Sequence, residues 1–290
     1  MKDFTDKVVV VTGGASGVGR ALGVAFAKEK AQVVLIDIQQ ENLDKTISEL
    51  HKEGLSNVIG MQADVTSDES MQQLAQQCFK KFGVVHVLFN NAGVGLSEAA
   101  RPLWTLPNKD WEWGFAVNTL GAVNGIRAFL PSMIEGGEEG LVINTSSGNG
   151  GITSLPTTPI YAASKAALTS LTETLHYQLL KANAKIKAAV MFPGPHVINS
   201  GILSSAKSRP PKFADATLAS GKIYNNFKEL ADATGVEFQL TEPEEVAEYT
   251  LSSIKRGEFW IMPDDYSKSL DKMQERTDDI LQRRVPKLPE

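Results

Sequence analysis

Val8-Val9-Val10-Val11-Thr12-Gly13-Gly14-Ala15-Ser16-Gly17-Val18-Gly19 stands near the start of the chain. Four consecutive valines are β-branched and apolar, so they read as a short strand buried on both faces. The glycines after them read as a tight turn. Residues 18–30 then show helical periodicity. A glycine-rich turn between a strand and a helix reverses the chain sharply. It also lets backbone approach a pyrophosphate and aims helix N-terminal N–H groups at the anion. Gly13, Ser16, Gly17, Val18 and Gly19 are the candidate residues of such a cradle.

The same rhythm continues outward. Residues 33–36, 58–61, 85–89, 141–144 and 186–192 are short apolar runs that read as further buried strands. Helix-like segments separate them. One starts near Thr66, where Thr66-x-x-Glu69 fits a capping box. Asn108 is placed to cap another, and residues 161–181 form a long one. Thr241-x-Pro243-Glu244 reads as a later helix start, and residues 258–262 as the last strand. Strands buried on both faces and alternating with helices predict an α/β protein. The expected fold is a single-domain, doubly wound Rossmann fold with about seven parallel strands. Residues 1–263 form that domain, with a substrate lid at about 196–241. Residues 264–290 are a charged extension, read as a solvated or partner-packed helix.

Composition narrows the function. The chain has 290 residues, 42% of them hydrophobic and 22% charged, which is ordinary globular usage. Its net charge of −5 argues against a nucleic-acid partner. Cys78 is the single cysteine, so neither an intrachain disulfide nor a cysteine metal cluster can form. His51, His86, His176 and His196 make no ligand pattern, so no metal site is expected. No signal peptide and no membrane-length apolar run is visible, and a cytoplasmic protein without a membrane partner is expected.

Asp37 ends the second strand. A carboxylate there can accept hydrogen bonds from both adenosine ribose hydroxyls and would repel a 2′-phosphate. Ile38, Gln39 and Gln40 follow, with no cation among them. Arg20 is near in sequence but starts the first helix, where it faces solvent. NAD is therefore favoured over NADP.

With these motifs in hand, the sequence resembles the short-chain dehydrogenase/reductase family. The resemblance covers about residues 5–262 and rests on seven motifs in family order. They are the Gly-x-x-x-Gly-x-Gly of residues 13–19, Asp64-Val65, Asn90-Asn91-Ala92-Gly93, Asn118 and the Ser146-Ser147 pair. Tyr161-x-x-x-Lys165 and Pro193-Gly194 complete the set. The resemblance implies that Asn91, Ala92 and Gly93 support the dinucleotide and that Asp64 and Val65 contact the adenine. Tyr161 is then the general acid/base. Lys165 holds the nicotinamide ribose and polarises the tyrosine. A serine bonds the substrate oxygen, and Asn118 helps hold a water in a proton relay. A homodimer or homotetramer built on the long helices is also implied.

The residues suit that chemistry. A tyrosine with a pKa of roughly 10 is a poor base near neutrality. A nearby ammonium stabilises the tyrosinate, and Lys165 lies one helical turn on. Side chains alternate along a strand, so only one of Ser146 and Ser147 faces the cofactor. Ser147, fourteen residues before Tyr161, is favoured. The stretch after Pro193-Gly194 departs from the family pattern. Ile198 and Ser200 are read as the nicotinamide-side contacts, with Val197 and Asn199 as alternatives.

The expected activity is NAD-dependent interconversion of a secondary alcohol and a ketone. An NADPH-dependent carbonyl reductase and a non-catalytic NAD sensor are the alternatives. In the lid, Leu203, Phe213, Leu218, Ile223, Tyr224, Phe227 and Leu230 either wall an apolar pocket or form the inner face of a helix. Arg101, Arg209 and Lys212 are cations that could meet a substrate carboxylate. The segment 110–114 and the extra loop look similar to bacterial family members that oxidise aryl-bearing or bulky secondary alcohols.

Overall fold

A computed structural model describes residues 1–96, 98, 101–214, 224–235 and 237–287. Seven strands form one parallel sheet in the order β3-β2-β1-β4-β5-β6-β9. They are β1 Val8–Thr12, β2 Gln32–Asp37, β3 Val58–Gln62, β4 Val87–Asn90, β5 Gly140–Thr145, β6 Ile186–Met191 and β9 Trp260–Ile261. The Rossmann architecture and the sheet of seven are therefore as expected.

The valine run shows why the sheet is buried on both sides. Successive side chains of a strand point to opposite faces. Val9 and Val11 join one apolar cluster with Phe4, Phe26, Leu35 and Phe89. Val8 and Val10 join the other, with Ile36, Leu88, Phe129 and Val142. Helices α1 (Gly17–Lys28), α2 (Gln40–Lys52) and α9 (Pro243–Arg256) cover the first face. Helices α3 (Asp68–Phe82), α5 (Gly121–Glu135) and α7 (Pro159–Lys181) cover the second, where Cys78 is buried.

Helix starts moved by a residue or more from the sequence reading. Ser67, not Thr66, caps α3, and its hydroxyl accepts the Ser70 N–H. The last capping box pairs Glu242 with Glu245, one residue beyond Thr241. Pro107 precedes α4 (Asn108–Phe115), so Asn108 is inside the helix rather than its cap. Pro159 opens α7, two residues before Tyr161. Pro at a first helical position has its φ already set and loses no bond there.

Two features were not anticipated. Five residues between α4 and α5, Ala116–Leu120, form a π-helical turn. Two short strands, β7 Val197–Ile198 and β8 Leu240–Thr241, pair in parallel and tie together the two ends of the lid. Within the lid lie 3-10 helices at Gly201–Ser208 and Pro211–Phe213, and α8 at Phe227–Thr234. Leu218 and Ile223 lie outside the described residues. The charged extension folds into α10, Ser267–Leu281. Its approach is not solvated, because Tyr266 is buried against Ile152, Val190 and Phe192.

Candidate active site

Strand order reverses between β1 and β4, so the loops after them diverge and open a crevice at the carboxyl ends of the strands. A cleft of about 1520 Å³ lies there. A single small-ligand pocket spans roughly 300–1,000 Å³, so this one has room for two ligands.

The cleft begins at the glycine turn. Gly13 has φ +67°, and a Cβ on it would sit 2.9 Å from Ala92 Cα. A Cβ on Gly19 would sit 2.0 Å from the Gly13 carbonyl oxygen. Only glycine allows that approach. Ser16, the N-cap of α1, makes no side-chain cap bond, and the first turn carries no acid. Its N–H groups thus keep their capacity for an anion.

Thr12 locks this turn to the loop after β4. Its hydroxyl donates to the Phe89 carbonyl at 3.2 Å and accepts the Asn91 and Ala92 N–H groups at 2.9 and 3.0 Å. The Asn91 amide donates to the Thr12 carbonyl at 3.0 Å. Thr12 stands just before the glycine motif in the sequence, but its bonding role is not legible there, because its partners lie 77 to 80 residues away.

Asp37 and Asp64 stand on the cleft wall. Asp37 accepts the Ala15 N–H at 3.2 Å and the Gln39 N–H at 3.1 Å. Arg20 pairs with Glu53 at 3.5 Å and Glu49 at 3.8 Å, away from Asp37. Asp64 accepts the Thr66 N–H and hydroxyl at 2.8 and 2.7 Å, and Lys212 lies 3.2 Å away. Burial alone would raise the Asp64 carboxyl, but the Thr66 bonds and the Lys212 ammonium bring it below its usual value.

At the other end, Ser147, Tyr161 and Lys165 line the cleft. The Ser146 hydroxyl turns inward, donating to the Lys165 carbonyl at 3.0 Å and lying 2.7 Å from Thr169 Oγ1. Lys165 is buried, and its Nζ donates to the Thr145 carbonyl at 2.7 Å. Burial pushes this lysine down to about 8. The same Nζ is 5.7 Å from the Tyr161 ring centroid. Burial raises the Tyr161 phenol, a hydrogen bond with Ser147 lowers it, and the Glu98 carboxylate raises it again.

Asn118 does not line the cleft. It sits in the π-helical turn behind it, a motif that recurs at functional sites. Its Oδ1 accepts the Val94 N–H at 2.8 Å, and its Nδ2 donates to the Val94 carbonyl and to Ser164 Oγ, each at 3.1 Å. Gly194 also lies off the wall, packed under the Tyr266 ring. Ser16, Gly17, Val18, Val65, Gly93, Pro193, Ile198 and Ser200 all reach the cleft. Val197 lines it as well, whereas Asn199 bonds outward to Glu242 at 3.0 Å.

Two of the three candidate cations for a substrate carboxylate are already paired. Arg209 meets Asp110 at 2.6 Å, and Lys212 meets Asp64. Arg101 lines the cleft and donates to the Thr105 carbonyl at 3.3 Å. Trp104, in the same insertion, is 85% exposed. Leu96, Trp113, Leu155, Leu203, Phe227 and Phe238 add an apolar lining to the cleft. Tyr266, Ser269 and Lys272 of the charged extension also reach the cleft.

A sequence model of the short chain dehydrogenases matches residues 7–208. The chain belongs to the short-chain dehydrogenase family. This short-chain dehydrogenase is 33% identical over 217 residues to a dehydrogenase/reductase of CLA biosynthesis from Lactiplantibacillus plantarum, covering 75% of this chain and 73% of the relative. It is 30% identical over 264 residues to a C alpha-dehydrogenase from a Sphingobium species, covering 91% and 82%. The fold superposes on a short-chain dehydrogenase/reductase from Burkholderia phymatum solved with NAD. The TM-score is 0.88 at 33% identity, over 100% of this chain and 99% of that one. The protein is thus an NAD(P)-dependent oxidoreductase.

The donor set suits such a dinucleotide. A carboxylate ends β2, uncapped N–H groups head α1, and the Lys165 ammonium has the Thr145 carbonyl for one of its three donors. Among the described residues no group of acids, histidines and cysteines is arranged to hold a metal, and no helix is long and apolar enough to cross a membrane.

Proposed function

We propose that the protein interconverts a secondary alcohol and a ketone with NAD. The observation that carries this reading is the convergence of Ser147, Tyr161 and Lys165 on a cleft that the Asp37 carboxylate also lines. Gly13, Ser16, Gly17, Val18 and Gly19 hold the pyrophosphate. Asp37 takes the adenosine ribose hydroxyls, and Asp64 and Val65 meet the adenine. Asn91, Ala92, Gly93, Pro193, Ile198 and Ser200 line the nicotinamide half, with Gly194 shaping the turn behind it.

Bound nicotinamide supplies or accepts the hydride. The chain handles the proton. Ser147 donates a hydrogen bond to the substrate oxygen. Tyr161 takes the hydroxyl proton during oxidation and returns it during reduction. Lys165 lowers the phenol by its charge and bonds the nicotinamide ribose. Asn118 clamps the backbone at Val94 and so fixes the floor of the relay. The apolar substrate end, with Trp113 and Leu155 among its residues, suits an alcohol with a bulky or aryl substituent. Tyr177 and Leu180 are exposed on α7, which fits assembly into a dimer or tetramer through the long helices.

The test is reduction of NAD by purified protein across aliphatic, alicyclic, aryl and steroidal secondary alcohols, with NADP in parallel. Turnover with NAD is expected, strongest on bulky members. Tyr161→Phe should bind NADH normally and lose about 10²- to 10⁴-fold in kcat. Turnover with NADP alone would shift the reading to a carbonyl reductase. NADH binding with silence across the panel would favour a sensor.

A further inference from the structure

Helix α7 carries Tyr161 in its first turn, and that turn has no local cap. Thr158 stands at the N-cap position but makes no side-chain cap bond. The free N–H groups of a first helical turn need partners, and buried ones left alone cost stability. Here they find one from far away. Glu98 Oε2 accepts the Ile160 N–H at 2.7 Å, and Glu98 Oε1 accepts the Tyr161 N–H at 3.0 Å. The glutamate lies 62 residues earlier, just beyond the Asn91–Gly93 loop, and its side chain is fully buried on the cleft wall.

A buried carboxylate is an expensive way to cap a helix, since a Thr or Ser at the N-cap would serve. What the distant carboxylate adds is a link. We propose that Glu98 is a positioning residue for Tyr161. Its carboxylate ties the first turn of α7 to the cofactor loop, holds the tyrosine hydroxyl in register with Ser147, and sets a fixed negative charge behind it. This rests on the reading of Tyr161 as the proton-transfer group.

The surroundings pull on that charge in both directions, with burial ahead, so the Glu98 carboxyl lies above its usual value. The helix N-terminus favours an anion. Burial raises the Glu98 carboxyl, the two backbone N–H bonds lower it, and Asp110 on α4 raises it further. Asp110 is in turn paired with Arg209 of the lid. Tyr161 faces Lys165 from its own helix and Tyr266 from the extension. Glu98 is thus the negative charge that opposes ionisation of Tyr161.

The experiment compares the full-length protein with Glu98→Gln, Glu98→Asp and Tyr161→Phe. Glutamine is nearly isosteric but has one acceptor oxygen, so one of the two N–H groups loses its partner. Glu98→Gln should bind NADH like the parent, keep substrate KM, and lose about tenfold or more in kcat. With the negative charge gone the phenolate forms more readily. The acid limb of the alcohol-oxidation profile should then move down by about half a unit to one unit. Glu98→Asp keeps the charge on a shorter stem, so its kcat should fall while the pH midpoint stays. If Glu98→Gln does not fold, the drop in kcat of Glu98→Asp decides. A lower melting temperature with kcat and pH midpoint unchanged in the folded variants would make Glu98 a structural cap and overturn the proposal. Loss of NADH binding together with kcat would overturn it too, by placing the effect in the cofactor loop. Normal turnover by Tyr161→Phe would instead sink the underlying reading. An inactive Tyr161→Phe beside a parent-like Glu98→Gln would sink only the role of Glu98.

Discussion

Arg209 Nη1 lies 2.6 Å from Asp110 Oδ1, and this pair joins the lid to α4. Both side chains are largely buried, with 14% and 3% exposure. The guanidinium also sits 4.8 Å from the Trp113 ring and donates from Nε to the Phe213 carbonyl at 2.8 Å. Arg209→Ala should leave the Asp110 charge unpaired and cost about 3 kcal/mol. Denaturant midpoints would measure the loss. Removing both charges, as Arg209→Leu with Asp110→Leu, should restore much of it, and a double-mutant cycle reads the coupling. Additive losses would show that the pair does not act as a unit.

Ser146 and Ser147 are neighbours with opposite surroundings. The Ser146 hydroxyl is spent on Lys165 and Thr169. Ser146→Ala should cost about 1 kcal/mol of stability and leave most turnover intact. Ser147→Ala should melt like the parent and lose on the order of 10²-fold in kcat. Steady-state kinetics beside thermal melts separates the two. The reverse pattern would assign the substrate contact to Ser146.

Asp37→Ala should reduce preference for NAD over NADP by on the order of tenfold or more, about 1.4 kcal/mol. On the proposed reading the carboxylate would bond the ribose hydroxyls and repel a 2′-phosphate. Arg20 is held by Glu49 and Glu53, so the variant gains no ready phosphate partner. The ratio of kcat/KM values with the two cofactors is the measurement. An unchanged ratio would remove Asp37 from cofactor choice.

Lys165 gives the stability a pH dependence. Its ammonium falls from 10.5 to about 8 on burial in the folded chain. Between those values the unfolded chain binds more protons, so stability rises with pH there. Below about pH 8 the buried charge opposes folding in full, and the shift corresponds to roughly 3 kcal/mol. Lys165→Met should be more stable than the parent near neutral pH without cofactor. Its advantage should shrink as pH climbs from 8 toward 10.5. Urea midpoints across that range provide the check, and a constant difference would mean that Lys165 is not held in a dehydrated place.

Much of this protein is legible along the chain because the signals are local. Four valines in a row bury both faces of a strand, whatever follows. The glycines of residues 13–19 are needed by the turn itself, since a side chain at Gly19 would meet the Gly13 carbonyl. Tyr161 and Lys165 share a helix face by spacing alone. Those facts fix the parallel α/β fold and the two ends of the cleft. Helix starts were less legible, because Thr66 and Ser67 are both good caps and only packing selects one.

What tertiary structure decided is every contact between residues far apart in sequence. Glu98 caps a helix 62 residues away, and Arg209 finds Asp110 across 99 residues. Tyr266 brings the start of a charged tail back against Gly194 and onto the cleft wall. No local pattern predicts these, because a buried carboxylate, guanidinium or phenol takes its partner from whichever element the fold brings beside it. Periodicity along one element encodes which face is buried. The identity of the neighbour across that face is set only when the sheet and its helices have closed around it.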